Sequence, residues 1–278
     1  MLKKAVVLGV KGACIGAANV IPGVSGGTIA LLLGIYHELA EAVGCLLGAS
    51  WKKRLEYARF LVPVFSGAGL SILIFSHGVV WLYERFPEQL GFFFLGLVAA
   101  SLPALLRELK GRPRARSWLL FSLGFALTLG LGIMDRLLPA SEAAGGTLPA
   151  LSPVYAAKLF VSGAAAAAAM VAPGISGSFL LMLMGEYYHI LGFINAMALP
   201  TLFVFGSGVL VGLVVAAKLV SALLSRYFEA TMMCIVGLVL ASLYVVWPGL
   251  TVAPLPLTMN LLAFCLGAAL VLGFSRPR

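Results

Sequence analysis

Apolar residues run through this chain in long blocks, interrupted by short basic clusters, glycines and prolines. Ten apolar segments can be marked, at about 5–21, 24–49, 61–83, 89–106, 117–135, 154–172, 175–199, 200–224, 230–247 and 258–275. Most approach the ~20 residues that a helix needs to cross ~30 Å of hydrocarbon, so the pattern predicts a bundle of membrane helices. The first and second segments, and the sixth and seventh, differ from the rest. They form two pairs, each joined only by a Pro-Gly turn.

The pattern repeats. Val20-Ile21-Pro22-Gly23-Val24-Ser25-Gly26 matches Val171-Ala172-Pro173-Gly174-Ile175-Ser176-Gly177, and Gly34 and Tyr36 match Gly185 and Tyr187, all at an offset of 151. Gly96 to Leu102 matches Gly237 to Leu243 at an offset of 141, and Phe121-Ser122-Leu123-Gly124 matches Phe264-Cys265-Leu266-Gly267. The offset falls by ten because the second half lacks the stretch Trp51 to Phe60, read from the sequence as a basic loop. Three blocks in one order and spacing indicate a duplication.

Basic residues set the orientation, because cytoplasmic loops carry the excess of Lys and Arg. With the N-terminus in the cytoplasm, sixteen of the nineteen Lys and Arg fall on that side, the exceptions being Arg85, Arg136 and Lys158. Each half then makes an odd number of crossings, so the repeats are inverted. Only ten residues separate Lys11 from Ile21, roughly 15 Å of helix, which favours arms that enter and turn back over arms that span fully. The expected fold is an all-α integral membrane protein of two inverted-topology repeats. Each repeat has a re-entrant helical hairpin with a Pro-Gly-x-Ser-Gly tip, followed by three transmembrane helices. The first repeat would cover 1–138, with its hairpin at about 5–49, and an external linker would follow at 139–153. The second would cover 154–278, with its hairpin at about 154–199.

Composition agrees with this picture. Of 278 residues, 62% are hydrophobic and only 10% are charged, against the roughly 25% charged of a soluble domain. The net charge of +9 does not indicate a nucleic-acid protein, because the basic residues are spread between apolar runs rather than gathered on one face. Cys14, Cys45, Cys234 and Cys265 lie singly in apolar stretches and read as packing residues. No cofactor and no metal is expected.

The paired turns carry the candidate chemistry. In Pro22-Gly23-Val24-Ser25-Gly26-Gly27-Thr28, the proline ends one arm and the glycine allows reversal. Ser25 is placed to cap the second arm, and Gly26 and Gly27 bare its first amides, the makings of an anion site. Pro173-Gly174-Ile175-Ser176-Gly177-Ser178 repeats the arrangement, so the two tips are expected to surround one anion together. The bland alternative is two tight turns with capped helices. Ionisable residues inside apolar segments are the second signal. Glu38 and Glu41 read equally as a solvated face. Glu186 is the sharper candidate, since a carboxyl with a burial-raised pKa could carry a proton or alter anion affinity. Tyr36 and Tyr187 hold equivalent places and are expected to line a cavity or to pack. Arg226 and Glu229 read as a local helix-end pair.

The run from Gly16 through Pro22-Gly23-Val24-Ser25-Gly26-Gly27-Thr28 to Tyr36, with Ala172-Pro173-Gly174-Ile175-Ser176-Gly177-Ser178-Phe179, resembles a bacterial membrane family assigned as undecaprenyl-phosphate translocases, the PopT type. The resemblance covers essentially the whole chain. It implies a multi-pass protein of the bacterial inner membrane, and the placement of Lys and Arg puts both termini in the cytoplasm. It also implies transport of the lipid carrier undecaprenyl phosphate from outer to inner leaflet for cell-wall synthesis, helped by the proton gradient. By their place in the motifs, the headgroup residues are Ser25, Gly26, Gly27, Thr28, Ser176, Gly177 and Ser178, and Pro22, Gly23, Pro173 and Gly174 complete the expected phosphate-binding set. Two other functions compete. A carrier or channel for a small inorganic anion needs the same helix starts. A polyprenyl-diphosphate phosphatase has a similar turn, but an Arg that clamps phosphate follows it. Here Gly26-Gly27 and Gly177-Ser178 stand in its place, which argues against hydrolysis.

Overall fold

The computed structural model describes residues 2–19, 25–109, 113–137, 148–249 and 254–274. Twelve helices and no strand are found among them. The first half holds α1 (Leu2–Asn19), α2 (Gly26–Leu32), α3 (Tyr36–Cys45), α4 (Trp51–Arg85), α5 (Pro87–Glu108) and α6 (Ala115–Leu137). The second holds α7 (Pro153–Val171), α8 (Gly177–Leu183), α9 (Tyr187–Asn195), α10 (Leu199–Arg226), α11 (Phe228–Val246) and α12 (Pro254–Phe274). Helices α5, α6, α7, α10 and α11 are long and apolar enough to cross a membrane, and α8 with α9 makes a sixth if taken as one bent span. Phe203 on α10 and Leu262 on α12 are 78% and 70% exposed, a surface that suits lipid and not water. This is an all-helical, multi-pass membrane protein.

Two expectations need correction. Segments 24–49 and 175–199 are not single arms, because each breaks after two turns. At Gly34 (φ 68°) and Gly185 (φ 70°) the backbone enters the left-handed region that glycine tolerates. Gly34 donates to the Leu31 carbonyl and Ile35 to that of Ala30, while Gly185 donates to Met182 and Glu186 to Leu181. This paired pattern closes a helix C-terminus. The second pair of helices bends by 107° at the break. Nor is Trp51 to Phe60 a loop. It forms the first turns of α4, where Lys, Arg, Glu and Leu all favour helix.

Helix pairing follows one plan in both halves. Helix α1 packs along α4, and α7 along α10. The last two helices of each half cross over, α5 against α12 and α6 against α11. Glycine allows these contacts. A Cβ at Gly96 would lie 2.0 Å from the Phe264 carbonyl oxygen, and one at Gly237 would lie 2.2 Å from that of Phe121. The helix ends match too. Glu88 at the start of α5 accepts from Asn260 on α12 at 3.3 Å, and Glu229 at the start of α11 accepts from Ser117 on α6 at 2.7 Å. Glu229 also takes the Arg114 amide, at 2.7 Å. It therefore turns to α6 and not to Arg226, as its spacing had suggested. The largest buried apolar cluster joins Leu8, Ile29, Tyr36 and Val64 of the first half to Ala217, Leu224, Met232 and Val239 of the second.

Candidate functional site

The tips were expected to carry the chemistry, and the structure shows how far they meet. Val20 to Val24 lie outside the described residues, so the candidates Pro22 and Gly23 are not placed. Ser25 takes the N-cap position of α2 with extended backbone, but its hydroxyl makes no capping bond. Asn19, at the end of α1, does that work instead, accepting the Gly26 amide at 3.0 Å. In the second copy the serine does cap, since Ser176 Oγ accepts from Phe179 at 3.5 Å. It also lies 2.8 Å from Ser178 Oγ. Helices α2 and α8 have only seven residues each, so their dipoles are short, and hydroxyls matter more than bare amides.

Hydrogen bonds stitch the first motif to the second. Thr28 Oγ1 accepts the Gly174 amide at 2.8 Å, and Ser25 Oγ donates to the Ala172 carbonyl at 3.5 Å. Tyr36, 5% exposed, donates its hydroxyl to the Val171 carbonyl at 2.9 Å. Gly174 (φ 87°) permits the approach, because a Cβ there would meet the Leu238 carbonyl at 2.6 Å. Ser25 and Thr28 are thus engaged in joining the tips, a structural use that the sequence did not suggest.

Three cavities surround this junction. The first, about 250 Å³, is apolar and runs past Ile15, Val43, Phe65, Val209 and Leu213, with Asn19, Gly26 and Gly27 on its wall. The second, about 220 Å³, is lined by Gly174, Ser176 and Ser178 with Thr128 of α6. The third, about 630 Å³, passes from Ala172 and Pro173 to Arg114, Arg116 and Arg226. Tyr36 lines both the apolar and the basic cavity. The two motifs therefore meet at the backbone but present their small polar groups to different spaces. Gly177 is buried, and a Cβ there would lie 2.6 Å from the Ala166 carbonyl, so it serves the packing of α8 on α7.

Glu186 is fully buried at the start of α9. Lys158 of α7 brings its ammonium to 2.5 Å from Oε1, and the Tyr155 hydroxyl donates to Oε2 at 2.7 Å. His189 Nδ1 stands 3.3 Å from the same oxygen. The sequence presented Glu186 as a carboxyl that burial would favour in its protonated form. The structure instead matches its charge with a cation one helix away. Tyr155 was missed, and only its place one turn before Lys158 on α7 could have pointed to it. Tyr187 is half-buried and packs edge-on against Tyr188, with ring centroids 5.3 Å apart. Glu38 is exposed at the start of α3, as a solvated face requires. Its neighbour Glu41 accepts from the Tyr57 hydroxyl at 2.9 Å.

Known proteins give this geometry a family. The chain is 35% identical over 249 residues to the polyprenyl-phosphate transporter of Vibrio cholerae, an overlap covering 86% of this chain and 76% of that protein. It is 32% identical over 274 residues to the polyprenyl-phosphate transporter of Staphylococcus aureus, covering 96% and 94%. No solved structure matches it. Residues 15–260, which include both Pro-Gly motifs, match the family described as "VCA0040-like: Undecaprenyl phosphate translocase-like", and the chain belongs to that family.

Proposed function

We propose that this protein carries polyprenyl phosphate, in particular undecaprenyl phosphate, from the outer to the inner leaflet of the bacterial inner membrane, returning the carrier for cell-wall polysaccharide synthesis. One observation carries the reading. Tyr36 is a shared wall between an apolar cavity and a basic one, beside the junction of the two motifs. A ligand with a long apolar tail and a phosphate head needs such a pairing. The head-proximal end of the tail enters the apolar cavity while the rest stays in lipid, and Arg114, Arg116 and Arg226 draw the head toward the cytoplasm. The names of the relatives support the same substrate.

In this reading the halves 1–138 and 154–278 are inverted repeats about the tip junction, and residues 139–153 are the external linker. Matched breaks, crossed helix pairs and matched helix-end bonds support the symmetry. Helices α1 and α7 enter the membrane to the tips, and α2–α3 and α8–α9 return, with both chain ends cytoplasmic. Inverted halves with broken helices suit a site near the bilayer midplane that opens to each side in turn. The phosphate meets the motif residues Ser25, Gly26, Gly27, Thr28, Ser176, Gly177 and Ser178 during passage. Glu186 couples transport to protons, held by Lys158, Tyr155 and His189.

Reconstitution into liposomes, with a leaflet-specific assay for polyprenyl phosphate run beside halide and phosphate flux, tests this directly. Lipid movement without small-anion flux is expected, and the converse would establish a carrier of inorganic anions instead. Replacing Ser25 or Ser176 with Leu should abolish lipid movement, and full activity in both variants would remove the proposed site. Glu186→Gln should flatten the dependence of transport on pH. An unchanged profile would take that carboxylate out of the coupling.

A further inference from the structure

The cavity on the far side of the second motif contains a polar group with no assigned task. Thr128 lies in the middle of α6, is 2% exposed, and lines this space, yet its hydroxyl has no hydrogen-bond partner. A threonine inside a helix ordinarily turns its hydroxyl to the carbonyl one turn before it. A buried hydroxyl that forgoes even this bond costs stability unless something else satisfies it. Ser71 and Ser162 are also buried and unpartnered, but neither lines the cavities described above. Thr128 does, and it faces the same space as Ser176 and Ser178, whose hydroxyl oxygens are 2.8 Å apart.

We infer that Thr128, Ser176 and Ser178 form a three-hydroxyl pocket for a phosphate-class oxyanion, with Thr128 contributed by a helix outside both motifs. Three features favour an oxyanion over a cation. No carboxylate lines the pocket, and all three side chains can donate. The same motif also borders the arginine-lined cavity through Ala172 and Pro173, so the tip stands beside a basic, anion-attracting space. The remaining wall, including Leu131, Phe179 and Val245, is apolar, which strengthens each hydroxyl bond. The offset that carries Phe121 onto Phe264 carries Thr128 onto Val271, so this hydroxyl belongs to one half only. The ligand is either a lipid phosphomonoester head or free inorganic phosphate. The lipid form rests on the transport reading above.

The test uses the full chain purified in detergent, with thermal unfolding followed against farnesyl phosphate, inorganic phosphate and farnesol. Thr128→Val is expected to leave the ligand-free midpoint unchanged or raised, because it removes an unsatisfied hydroxyl and little volume. Its apparent affinity for farnesyl phosphate should fall about tenfold, or about 1.4 kcal/mol. Thr128→Ser should retain binding, a rescue that a merely structural threonine would not give. If Thr128→Val binds as tightly as the parent, the pocket is wrong while the lipid reading stands. If the parent binds both phosphates alike and Thr128→Val loses both, the pocket stands and lipid selectivity there falls. A parent that responds to neither phosphate overturns both. A lowered ligand-free midpoint in Thr128→Val would show that the hydroxyl has a partner and would also overturn the inference.

Discussion

At Gly34 the first hairpin breaks between two helices with Lys11 laid across the gap, its ammonium 2.6 Å from the Leu33 carbonyl oxygen. At Gly185 the second breaks with the same hydrogen bonds, but a glutamate follows the glycine and Lys158 reaches it from α7. Ile35 fills the position that Glu186 holds in the second copy. The surroundings differ as well. Helix α3 packs against α10 of the other half, whereas α9 packs mainly on its own neighbours α8 and α10. One backbone plan therefore carries two kinds of chemistry. The first hairpin is anchored across the molecule and keeps its acids at the surface. The second is held locally, with a charged pair at the break. A hairpin with fewer cross-molecular contacts, and with a buried carboxylate paired to a half-exposed lysine, is the better placed to shift during a transport cycle.

The ion pair offers the strongest way to break this comparison. Lys158→Ala should lower stability by about 3 kcal/mol, because it leaves a buried carboxylate without its cation. The double variant Lys158→Met with Glu186→Leu should recover most of that loss in thermal unfolding. A tolerant Lys158→Ala would show that the second hairpin depends on its charge no more than the first. Next in size are the crossed helices, where the halves should behave alike. Gly96→Ala and Gly237→Ala should each cost about 2 kcal/mol through overpacking, and a large asymmetry would contradict the shared plan. Lys11→Ala should cost only about 1 kcal/mol, since it frees one helix-end carbonyl and leaves no buried charge alone. The smallest effect separates the caps. Asn19→Ala should cost about 1 kcal/mol, and Ser176→Ala and Ser25→Ala about half that each, the last through its long bond to the Ala172 carbonyl and not through a cap, measured under one set of detergent conditions.

The sequence revealed some of this and hid the rest for physical reasons. The helical membrane class followed from apolar segment length, and the matched halves from residues such as Gly34 and Gly185. The breaks themselves did not, although those same glycines mark them, because apolar residues lead up to each glycine and resume a few residues beyond it, so each stretch reads as one long segment. The stretch from Trp51 to Phe60 looked like a loop only because it is charged, and charge does not prevent a helix from projecting out of a bilayer. At the site, the meeting of the tips was anticipated, whereas the diversion of Ser25 and Thr28 into backbone contacts was not. Spacing shows which residues stand near a turn but not which neighbour claims their hydrogen bonds. Tyr155 and Thr128 were unreadable for a related reason, since both act across helix faces that only packing defines.

The crossed pairing of α5 with α12 and of α6 with α11 has a consequence for how the protein is made. Helices α5 and α6 leave the ribosome with glycine-notched faces whose partners come from the far end of the chain. At about 5–20 residues per second, the wait for α12 is on the order of ten seconds. During that interval the first half must sit in the membrane incomplete, with lipid or the insertion machinery covering the notches until synthesis ends.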